Sequence, residues 1–365
     1  MKYKVLHVFS SYSMGGAEKS MLFLASSLDK SQRCENIVAV PDDSKLFKES
    51  VQKNLKTITF KATNSFDLLG ILKLIKIIKK YSINIVHVHQ GKLYWTSLAA
   101  KLFCRNIKVI FHRRQDTRHG IISRNHYRFT DAVIAVSKSV ANGLIKYEKV
   151  LPDKIKVVYN GVDFDKFSDS VYFDDIIREY NLQDKTVVGT VGAIVDFKGK
   201  GQIYLVEAAK FLRKDYPNLR YLIVGSGKGF KEQKAYAENL KIEDIIYFVG
   251  YQKQVQKFIS AMDIFCLLSW DTEGMPNVVI EAQALKKPVI VTSIGGNPES
   301  FIAGTTGIMI EPSNYVQVAQ AIKKLVDNPD IAKQIGNAGK QFVEKNFSIE
   351  KMVKSTLAIY EQVMR

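Results

Sequence analysis

Short apolar segments of strand length alternate with longer helix-like stretches along almost the whole chain. In the first half these segments lie at residues 4–10, 37–40, 85–89, 109–112, 132–136 and 155–159. The pattern restarts in the second half, at residues 186–192, 221–225, 245–248, 264–268 and 288–292. Because buried strands that alternate with helices form parallel sheets, the sequence predicts an α/β fold with two doubly wound, Rossmann-like domains.

The segment that separates the two series, residues 163–184, is polar, acidic and without clear periodicity. We therefore expect an N-terminal domain over residues 1–165 and a second domain over residues 166–348. Residues 349–365 read as a single amphipathic helix, which we expect to pack back on the N-terminal domain. A chain of 365 residues with 46% hydrophobic composition is long enough to bury two cores.

The formal net charge of +17 is concentrated in the first half of the chain. Residues 1–166 contain 29 lysines and arginines against 13 aspartates and glutamates, a balance of +16, together with all six histidines. We therefore expect the first half to meet an anionic ligand or surface. The sequence has no run of about 18 apolar residues, so we expect a cytoplasmic protein that associates peripherally with the inner face of the plasma membrane.

Four predicted strands are followed by glycine-rich or charged loops, and ligands bind at the carboxyl ends of parallel strands. Glycine allows the backbone to approach a ligand, and a helix that begins after such a loop directs its N–H groups at an anion. We expect these loops to face a cleft between the two domains. Their sequences are "SYSMGGAEKS" in the first half and "GAIVDFKGKG", "VGSGKGF" and "SWDTEGMPN" in the second.

Glu273 and Glu281 bracket the last of these loops. Pro276 suits the first turn of the helix that follows, since its missing N–H group costs nothing there. The helix start would then hold a phosphate, with Glu273 beside it in the loop and Glu281 one turn into the helix. On spacing alone, an exposed loop acid followed by an ordinary helix acid explains the pair equally well.

These motifs, in this order, resemble the GT-B glycosyltransferases, and specifically the large fourth family of retaining enzymes that use nucleotide-activated sugars. The most specific element is a glutamate, seven residues and a second glutamate, within "EGMPNVVIEA". The resemblance covers nearly the whole chain and implies the GT-B architecture. Supporting elements are "GGAEKS", "VHVH", "DAVIAVSKSVANGL", "KVVYNGVDFDKF" and "VGSGKG".

The resemblance implies a hexosyltransferase-like reaction from a nucleotide-diphosphate sugar, UDP-sugars being the commonest donors, to a glycan or glycolipid acceptor. It places the chain in bacterial cell-surface polysaccharide or lipopolysaccharide assembly. No metal and no further cofactor is implied. In retaining members of the fold the acceptor attacks from the face that the phosphate leaves, and that phosphate helps to take its proton.

The resemblance also implies roles for individual residues. Glu281 would accept hydrogen bonds from the donor ribose, Glu273 would lie beside the transferred sugar, and Lys198 would neutralise the diphosphate, with His112 a further catalytic candidate. Fixed cations and dipoles at the leaving phosphate lower the barrier most. The remaining donor-binding candidates are Gly15, Gly16, Gly192, Lys200, Gly225, Gly227, Gly274, Met275, Pro276, Asn277 and Val278.

One position departs from the family pattern. The family usually has Gly-Arg ahead of the diphosphate lysine, whereas this chain has Gly192 and Ala193. One of two expected cations is therefore missing. Lys200 or Arg113 are the candidates to replace it, and loss of activity is the alternative.

A dense basic stretch, "HRRQDTRHGIISRNHYRF", follows the strand at residues 109–112. We interpret it as an anionic-acceptor site, because arginine recognises phosphate and carboxylate through paired donors. The expected acceptor is a lipid-linked diphosphate sugar or a phosphorylated glycolipid core, with an anionic membrane surface as a further partner. The acceptor-binding candidates are His89, Arg113, Arg114, Asp116 and Arg118.

Several features have competing interpretations. His87 and His89 share one face of a strand, but no third ligand with suitable spacing follows them, so we expect no metal site. The helix in "FDLLGILKLIKIIKKY" resembles a membrane-surface helix, although a core helix with a solvated lysine face is favoured. The glycines of "VGSGKG" lack the dinucleotide spacing, which argues against a dehydrogenase.

Two other functions stay open at this point. A nucleotide-sugar epimerase or phosphorylase of the same architecture would share these loops. A non-catalytic basic protein that binds nucleic acid is disfavoured, because it would not need Glu273 and Glu281 and because an RNA-binding aromatic signature is absent. We therefore expect no nucleic-acid partner.

Overall fold

The computed structural model describes residues 3–12, 14–115 and 125–365. The chain folds into two compact units. Unit 1 consists of Met1–Gly161 together with Ile349–Arg365, and unit 2 consists of Val162–Ser348. The division therefore falls at Gly161, four residues before the end of the predicted N-terminal domain.

Unit 1 contains a parallel sheet that, within the described residues, has seven strands in the order β3-β2-β1-β4-β5-β6-β7. Winding starts at β1 and proceeds outward in both directions, so β1 pairs with both β2 and β4. This reversal places the loops after β1 and β4 next to each other at the carboxyl edge. The strands are β1 (Tyr3–Val8), β2 (Cys34–Val40), β3 (Lys56–Thr59), β4 (Ile85–Val88), β5 (Lys108–Arg113), β6 (Ala132–Ala135) and β7 (Ile155–Val157).

The helices of unit 1 cover both faces of this sheet, as expected for strands that are buried throughout. They are α1 (Gly16–Lys30), α2 (Lys45–Gln52), α3 (Leu68–Tyr81), α4 (Tyr94–Phe103), α5 (His126–Phe129), α6 (Lys138–Lys146) and, at the end of the chain, α14 (Ile349–Met364). Short 3-10 turns occur at Gly91–Leu93 and Pro152–Lys154.

The C-terminal helix α14 is part of the core of unit 1. Its Tyr360 is fully buried and belongs to the same apolar cluster as Val5, Leu28 and Ile85. After unit 2 the chain thus returns to unit 1, where α14 covers one face of the sheet at β1 and β4.

Unit 2 repeats the arrangement with a parallel sheet that, within the described residues, has six strands in the order β10-β9-β8-β11-β12-β13. The strands are β8 (Thr186–Val191), β9 (Leu219–Val224), β10 (Ile246–Gly250), β11 (Ile264–Leu267), β12 (Val289–Thr292) and β13 (Gly307–Ile310). The helices are α7 (Asp174–Glu179), α8 (Gln202–Leu212), α9 (Phe230–Asn239), α10 (Val255–Ser260), α11 (Asn277–Ala284), α12 (Tyr315–Asp327) and α13 (Pro329–Asn346), with a 3-10 turn at Asn297–Glu299.

The predicted pair of doubly wound parallel sheets is confirmed, but two of its strands were not predicted. Both β3 and β13 lie at an edge of their sheet, and β3 contains no fully buried residue. β3 has one apolar residue, Ile58, so it lacks the continuous apolar run that marks the central strands. β13 is a short apolar segment that the sequence prediction omitted.

The winding of unit 2 reverses between β8 and β11, which pair directly through Ile264 with Val188 and Phe265 with Gly189. The loops that follow these two strands therefore lie side by side. Among the described residues, no helix combines the length and the apolar character needed to cross a membrane.

Candidate active site

In unit 2 the loop after β11 leads directly into α11, which begins at Asn277 with Pro276 as its N-cap in an extended conformation. Proline therefore stands one position earlier than predicted, and it still removes one N–H group that the helix could not pair. The N–H groups of the first turn point back over the loop. Glu281 lies one turn further along α11 and is half-buried.

Glu273 is held in this loop by two hydrogen bonds to one carboxylate oxygen. Its Oε1 atom accepts from the Lys200 ammonium at 2.7 Å and from the Ser269 hydroxyl at 2.7 Å. The Glu273 side chain is only 12% exposed. Within the described residues its other oxygen, Oε2, has no partner, so one acceptor of an oriented carboxylate is available to a ligand.

The backbone of Glu273 is fixed as well. Its carbonyl accepts from the Gly296 N–H at 3.0 Å. Gly295 has a φ of +54°, and a Cβ atom there would lie 2.2 Å from the Glu273 carbonyl oxygen. Only glycine fits at this close approach, which braces the acidic loop against the loop after β12.

The two lysines of the loop after β8 both reach the acidic loop, but in different ways. Lys200 forms the ion pair with Glu273, whereas the Lys198 ammonium lies 4.4 Å from the centroid of the Trp270 ring. The Trp270 indole N–H in turn donates to the Gly199 carbonyl at 3.2 Å. Neither Ser269 nor Trp270 was singled out by sequence, because only the folded loops bring Ser269 to Glu273 and Trp270 to Lys198.

Backbone packing requires glycine at positions 225 and 227, whether or not a ligand binds there. Their φ values are +147° and +154°, and a Cβ atom at each would lie 1.9 Å from the Gly192 carbonyl and 2.1 Å from the Ile194 carbonyl, respectively. The loops after β8 and β9 thus pack backbone against backbone. Gly274, Met275 and Pro276 are buried beneath the start of α11, and Val278 is half-buried.

In unit 1 the loop after β1 leads into α1, with Gly15 as its N-cap. The Gly15 N–H donates to the Glu18 carboxylate at 3.0 Å, so one backbone donor of this turn is already satisfied. Gly16 faces open space: a Cβ atom there would meet nothing within 4 Å.

A row of hydrogen bonds runs through unit 1 from the carboxyl edge of the sheet, at Arg114 and His89, into the interior of β1 and β2. Arg114 contacts His89 Nδ1 at 3.4 Å, His89 Nε2 contacts His7 Nδ1 at 3.0 Å, and His7 Nε2 contacts the Asn36 side-chain oxygen at 3.0 Å. Because guanidinium only donates, His89 accepts at Nδ1, donates from Nε2 to His7, and His7 donates to Asn36. Both imidazoles are therefore neutral.

A second row ends at His112. The buried Tyr360 hydroxyl lies 2.7 Å from His87 Nδ1, and His87 Nε2 lies 3.2 Å from His112 Nδ1. Tyr360 has no other acceptor within the described residues, so it donates to His87, which donates to His112. The Nε2 atom of His112 then carries a proton, and among the described residues it has no partner. His112 is a neutral hydrogen-bond donor.

Burial lowers the pKa of His7 to about 4 and lowers the pKa values of His87, His89 and His112 well below their usual range. The cost of burying a charge dominates, and the nearby Arg114 charge adds to it. Burial also lowers the pKa of Arg114, to about 10, so it remains protonated near neutral pH.

The nitrogen atoms of His7, His87 and His89 lie within 4.8 Å of one another, which resembles a metal-binding triad. The third histidine precedes the pair in the chain: His7 pairs in register with His87 from the neighbouring strand. A spacing search along the chain overlooks such a residue. The six ring nitrogens of these three histidines are already hydrogen-bonded, and the Arg114 charge is adjacent. This environment therefore favours neutral, hydrogen-bonded imidazoles over the binding of a metal cation.

The two arginines after His112 point to different places. Arg113 is buried on the opposite face of β5 from His112, where its charge and a hydrogen bond act on Tyr94. Arg114 lies beside His89 and donates to the Asn160 side chain at 3.3 Å. Asp116 and Arg118, the other acceptor-binding candidates, lie outside the described residues.

Comparison with known families assigns both units. The model for glycosyl transferases group 1 matches residues 173–342, and the model for glycosyltransferase family 4 matches residues 14–166. The two matches together cover every described strand except β1 and include Glu273, Lys198 and His112.

Individual relatives agree with this assignment. The N-acetyl-alpha-D-glucosaminyl L-malate synthase of Bacillus anthracis is 28% identical over 82% of this chain and 80% of its own length. The UDP-Gal:alpha-D-GlcNAc-diphosphoundecaprenol alpha-1,3-galactosyltransferase of Escherichia coli is 26% identical over 80% of this chain and 79% of its own. A crystal structure of a glycosyltransferase from Rickettsia africae ESF-5 superposes with a TM-score of 0.90 at 27% identity, covering 100% of this chain and 99% of that one.

Proposed function

Because this chain belongs to the family-four GT-B glycosyltransferases, we propose that it transfers a sugar from a UDP-sugar, with retention of anomeric configuration, to an anionic acceptor. The family assignment makes it a glycosyltransferase of polysaccharide or glycoconjugate synthesis. The use of a UDP-sugar donor, the retention of configuration and the anionic acceptor are the parts that we propose.

The observation that carries the proposal is the oriented Glu273 carboxylate. Lys200 and Ser269 hold one of its oxygens at 2.7 Å each, and within the described residues the other oxygen has no hydrogen-bond partner. A sugar hydroxyl donating to Oε2 would be fixed relative to a diphosphate at the helix N-terminus. Glu281, one turn along the same helix, would accept from the ribose hydroxyls.

Departure of UDP builds negative charge on the phosphate that leaves the sugar. Lys198, Lys200 and the N-terminal dipole of α11 would stabilise that charge without moving into place at the moment of reaction. Lys200 would thereby supply the cation that Ala193 does not. We propose no metal or other cofactor for this step.

His112 would act from unit 1 as a neutral donor. Its Nε2–H is oriented by His87 and, through it, by Tyr360. A neutral imidazole can donate to a substrate oxygen without adding a positive charge. Arg114, held by His89 and Asn160, is the acceptor-binding candidate that we retain beside it.

The names of the relatives support an anionic acceptor. One is named for L-malate, and another for a sugar carried by diphosphoundecaprenol. The +16 balance of residues 1–166 fits the same class of acceptor. We propose that the enzyme works in the cytoplasm at the inner face of the plasma membrane, where a lipid-linked acceptor and a nucleotide sugar meet.

A calorimetric screen of UDP-, GDP- and ADP-sugars tests the donor assignment. We expect a UDP-sugar to bind and to raise the melting temperature, because a ligand that binds only the folded state stabilises it. Binding of none of them would contradict the proposal. An epimerase or phosphorylase would bind the same donor, so sugar transfer to an added acceptor decides between those alternatives.

A further inference from the structure

The N-terminal end of α3 presents an exposed apolar patch on unit 1. Its members are Phe66, Leu68, Leu69 and Leu72, which are 68%, 68%, 78% and 49% exposed. We refer to these four residues as the α3 patch. The opposite face of the helix is anchored in the core by Leu74, Ile77 and Ile78. Large apolar side chains clustered on the surface in this way mark interaction sites.

The patch is held rigidly. Asp67 caps α3 by accepting from the Gly70 N–H at 2.9 Å, and its other oxygen accepts from the Thr63 N–H at 2.9 Å. Phe66 stacks on Trp95, with ring centroids 5.9 Å apart. The turn before α3 is thus fixed from both sides, and the apolar side chains are not simply part of a loose loop.

The same exposed face of α3 continues as a row of lysines. Lys73, Lys76, Lys79 and Lys80 are all exposed, and none of them forms an ion pair with an acid in the part of the chain that the structure describes. The helix therefore changes from apolar to basic along its length. Unpaired positive charge next to apolar side chains is complementary to anionic headgroups above acyl chains.

The α3 patch lies at the edge of the sheet that carries the candidate site. Since α3 follows β3, its N-terminal end is near the carboxyl ends of the strands. Hydrogen bonds connect the two places: Ser10 Oγ donates to the Ala62 carbonyl at 3.0 Å, and the Ser10 N–H donates to the Gln90 side chain at 3.1 Å. Gln90 directly follows His89.

A second group of exposed apolar residues does not share these properties. Leu102 and Phe103 are 75% and 67% exposed, but they end α4 just before β5, at the opposite edge of the sheet. The nearby Lys101 and Lys108 are both paired with Asp131, at 2.6 and 3.9 Å. This group is also apolar and exposed, but its neighbouring lysines are paired and it lies away from the site, which makes it a suitable control.

We propose that the α3 patch docks unit 1 on an anionic lipid bilayer, with the apolar side chains in the headgroup–acyl boundary and the four lysines on the lipid phosphates. This orients the carboxyl edge of the unit 1 sheet toward the membrane. Docking itself is independent of the chemistry; its use, delivery of a lipid-linked acceptor, rests on the proposed function.

Co-sedimentation with vesicles tests the proposal without donor or acceptor. The vesicles contain phosphatidylglycerol and phosphatidylcholine in equal parts, or phosphatidylcholine alone, at low and near-physiological salt. We compare the parent with Leu68→Gln/Leu69→Gln/Leu72→Gln, with Lys73→Gln/Lys76→Gln/Lys79→Gln/Lys80→Gln, and with the control Leu102→Gln/Phe103→Gln. Circular dichroism and sedimentation velocity establish folding and oligomeric state for each variant.

We expect the parent to bind the anionic vesicles and both α3 variants to lose at least ~10-fold in partitioning, while the control stays within about twofold of the parent. Absence of parental binding, binding by the leucine variant at the parental level, or equal loss in the control would each overturn the proposal. So would a parent that is dimeric and becomes monomeric in the leucine variant, because a second copy would then cover the patch. Transfer to a short soluble acceptor, measured separately, should survive the leucine changes. If the parent itself does not bind the anionic vesicles but transfers sugar to the soluble acceptor, docking is wrong and the proposed function stands.

Discussion

The Lys200 ammonium lies 2.7 Å from the Glu273 carboxylate, joining the loop after β8 to the loop after β11. The resemblance assigns the diphosphate to Lys198, two residues earlier, whose ammonium lies instead over the Trp270 ring. This chain has alanine at position 193, and both lysines lie next to the acidic loop. Lys200 is paired with a carboxylate, and Lys198 lies against an aromatic face.

Changing Glu273 to alanine should lower kcat by at least ~100-fold, because the carboxylate would be lost where sugar and phosphate separate. Asp271→Asn removes an exposed acid from the same loop and serves as the control, with turnover near the parental value. Steady-state kinetics on both variants, with circular dichroism to establish folding, checks this. Near-normal turnover in Glu273→Ala would remove it from the catalytic site.

Lys198→Ala should abolish most turnover and should cost more than Lys200→Ala. The reason is that Lys198 has no carboxylate partner within the described residues, so its full charge is available to a phosphate, whereas Lys200 is partly neutralised by Glu273. Comparing kcat/KM for the two variants gives the answer. Equal losses would contradict this ranking and would assign Lys200 the full role of the missing arginine.

Glu281→Ala should weaken binding of UDP itself, because the lost contact is to the ribose and not to the transferred sugar. Removal of a charged hydrogen-bonding partner costs about 1.5–3 kcal/mol, or on the order of 10- to 100-fold in affinity. Titration calorimetry with UDP measures this directly. An affinity equal to that of the parent would require another role for Glu281.

Acid should destabilise unit 1 before most carboxylates titrate. The folded pKa of His7 is about 4 against an ordinary value of 6.5, so the unfolded state takes up protons first as pH falls. The stabilisation is complete above about pH 6.5 and is lost as pH falls toward about 4. Between about pH 7 and about pH 5, His7 alone should remove about 2 kcal/mol of unfolding free energy, and His87, His89 and His112 add to the loss.

Urea unfolding at several pH values in this window checks the slope, with His7→Gln as the comparison because it removes one of the four titrating groups. The variant should show a shallower decline than the parent. Unfolding free energy that is constant over the window would mean that the histidines are not buried in the neutral form.

Much of the fold follows from sequence because several buried central strands, such as β6 and β11, consist entirely of apolar residues bounded by loops. The edge strand β3 escapes detection because Ile58 is its one apolar residue. The acidic loop is predicted correctly as strand, loop and helix, since Pro276 and the apolar positions of α11 depend on local sequence only.

The histidine rows could not be predicted in the same way. His7, Asn36 and Tyr360 come from β1, β2 and the C-terminal helix, so their contacts depend on strand register and on the return of the chain to unit 1. Similarly, sequence names both Lys198 and Lys200, but only the close packing of two loops decides which one reaches Glu273. Gly225 and Gly227 also have a role in backbone packing that sequence does not reveal, and their donor-binding role stays a prediction.

The central claim is retaining, metal-independent sugar transfer from a UDP-sugar. Its most direct test is the anomeric configuration of the product, which NMR gives as a proton coupling constant. The reaction contains the α-linked UDP-sugar identified by calorimetry, a diphosphate-linked sugar acceptor and excess EDTA. The account predicts an α-linked product formed at a rate unaffected by the chelator. A β-linked product, or transfer that appears only when Mg²⁺ or Mn²⁺ is added, would contradict it.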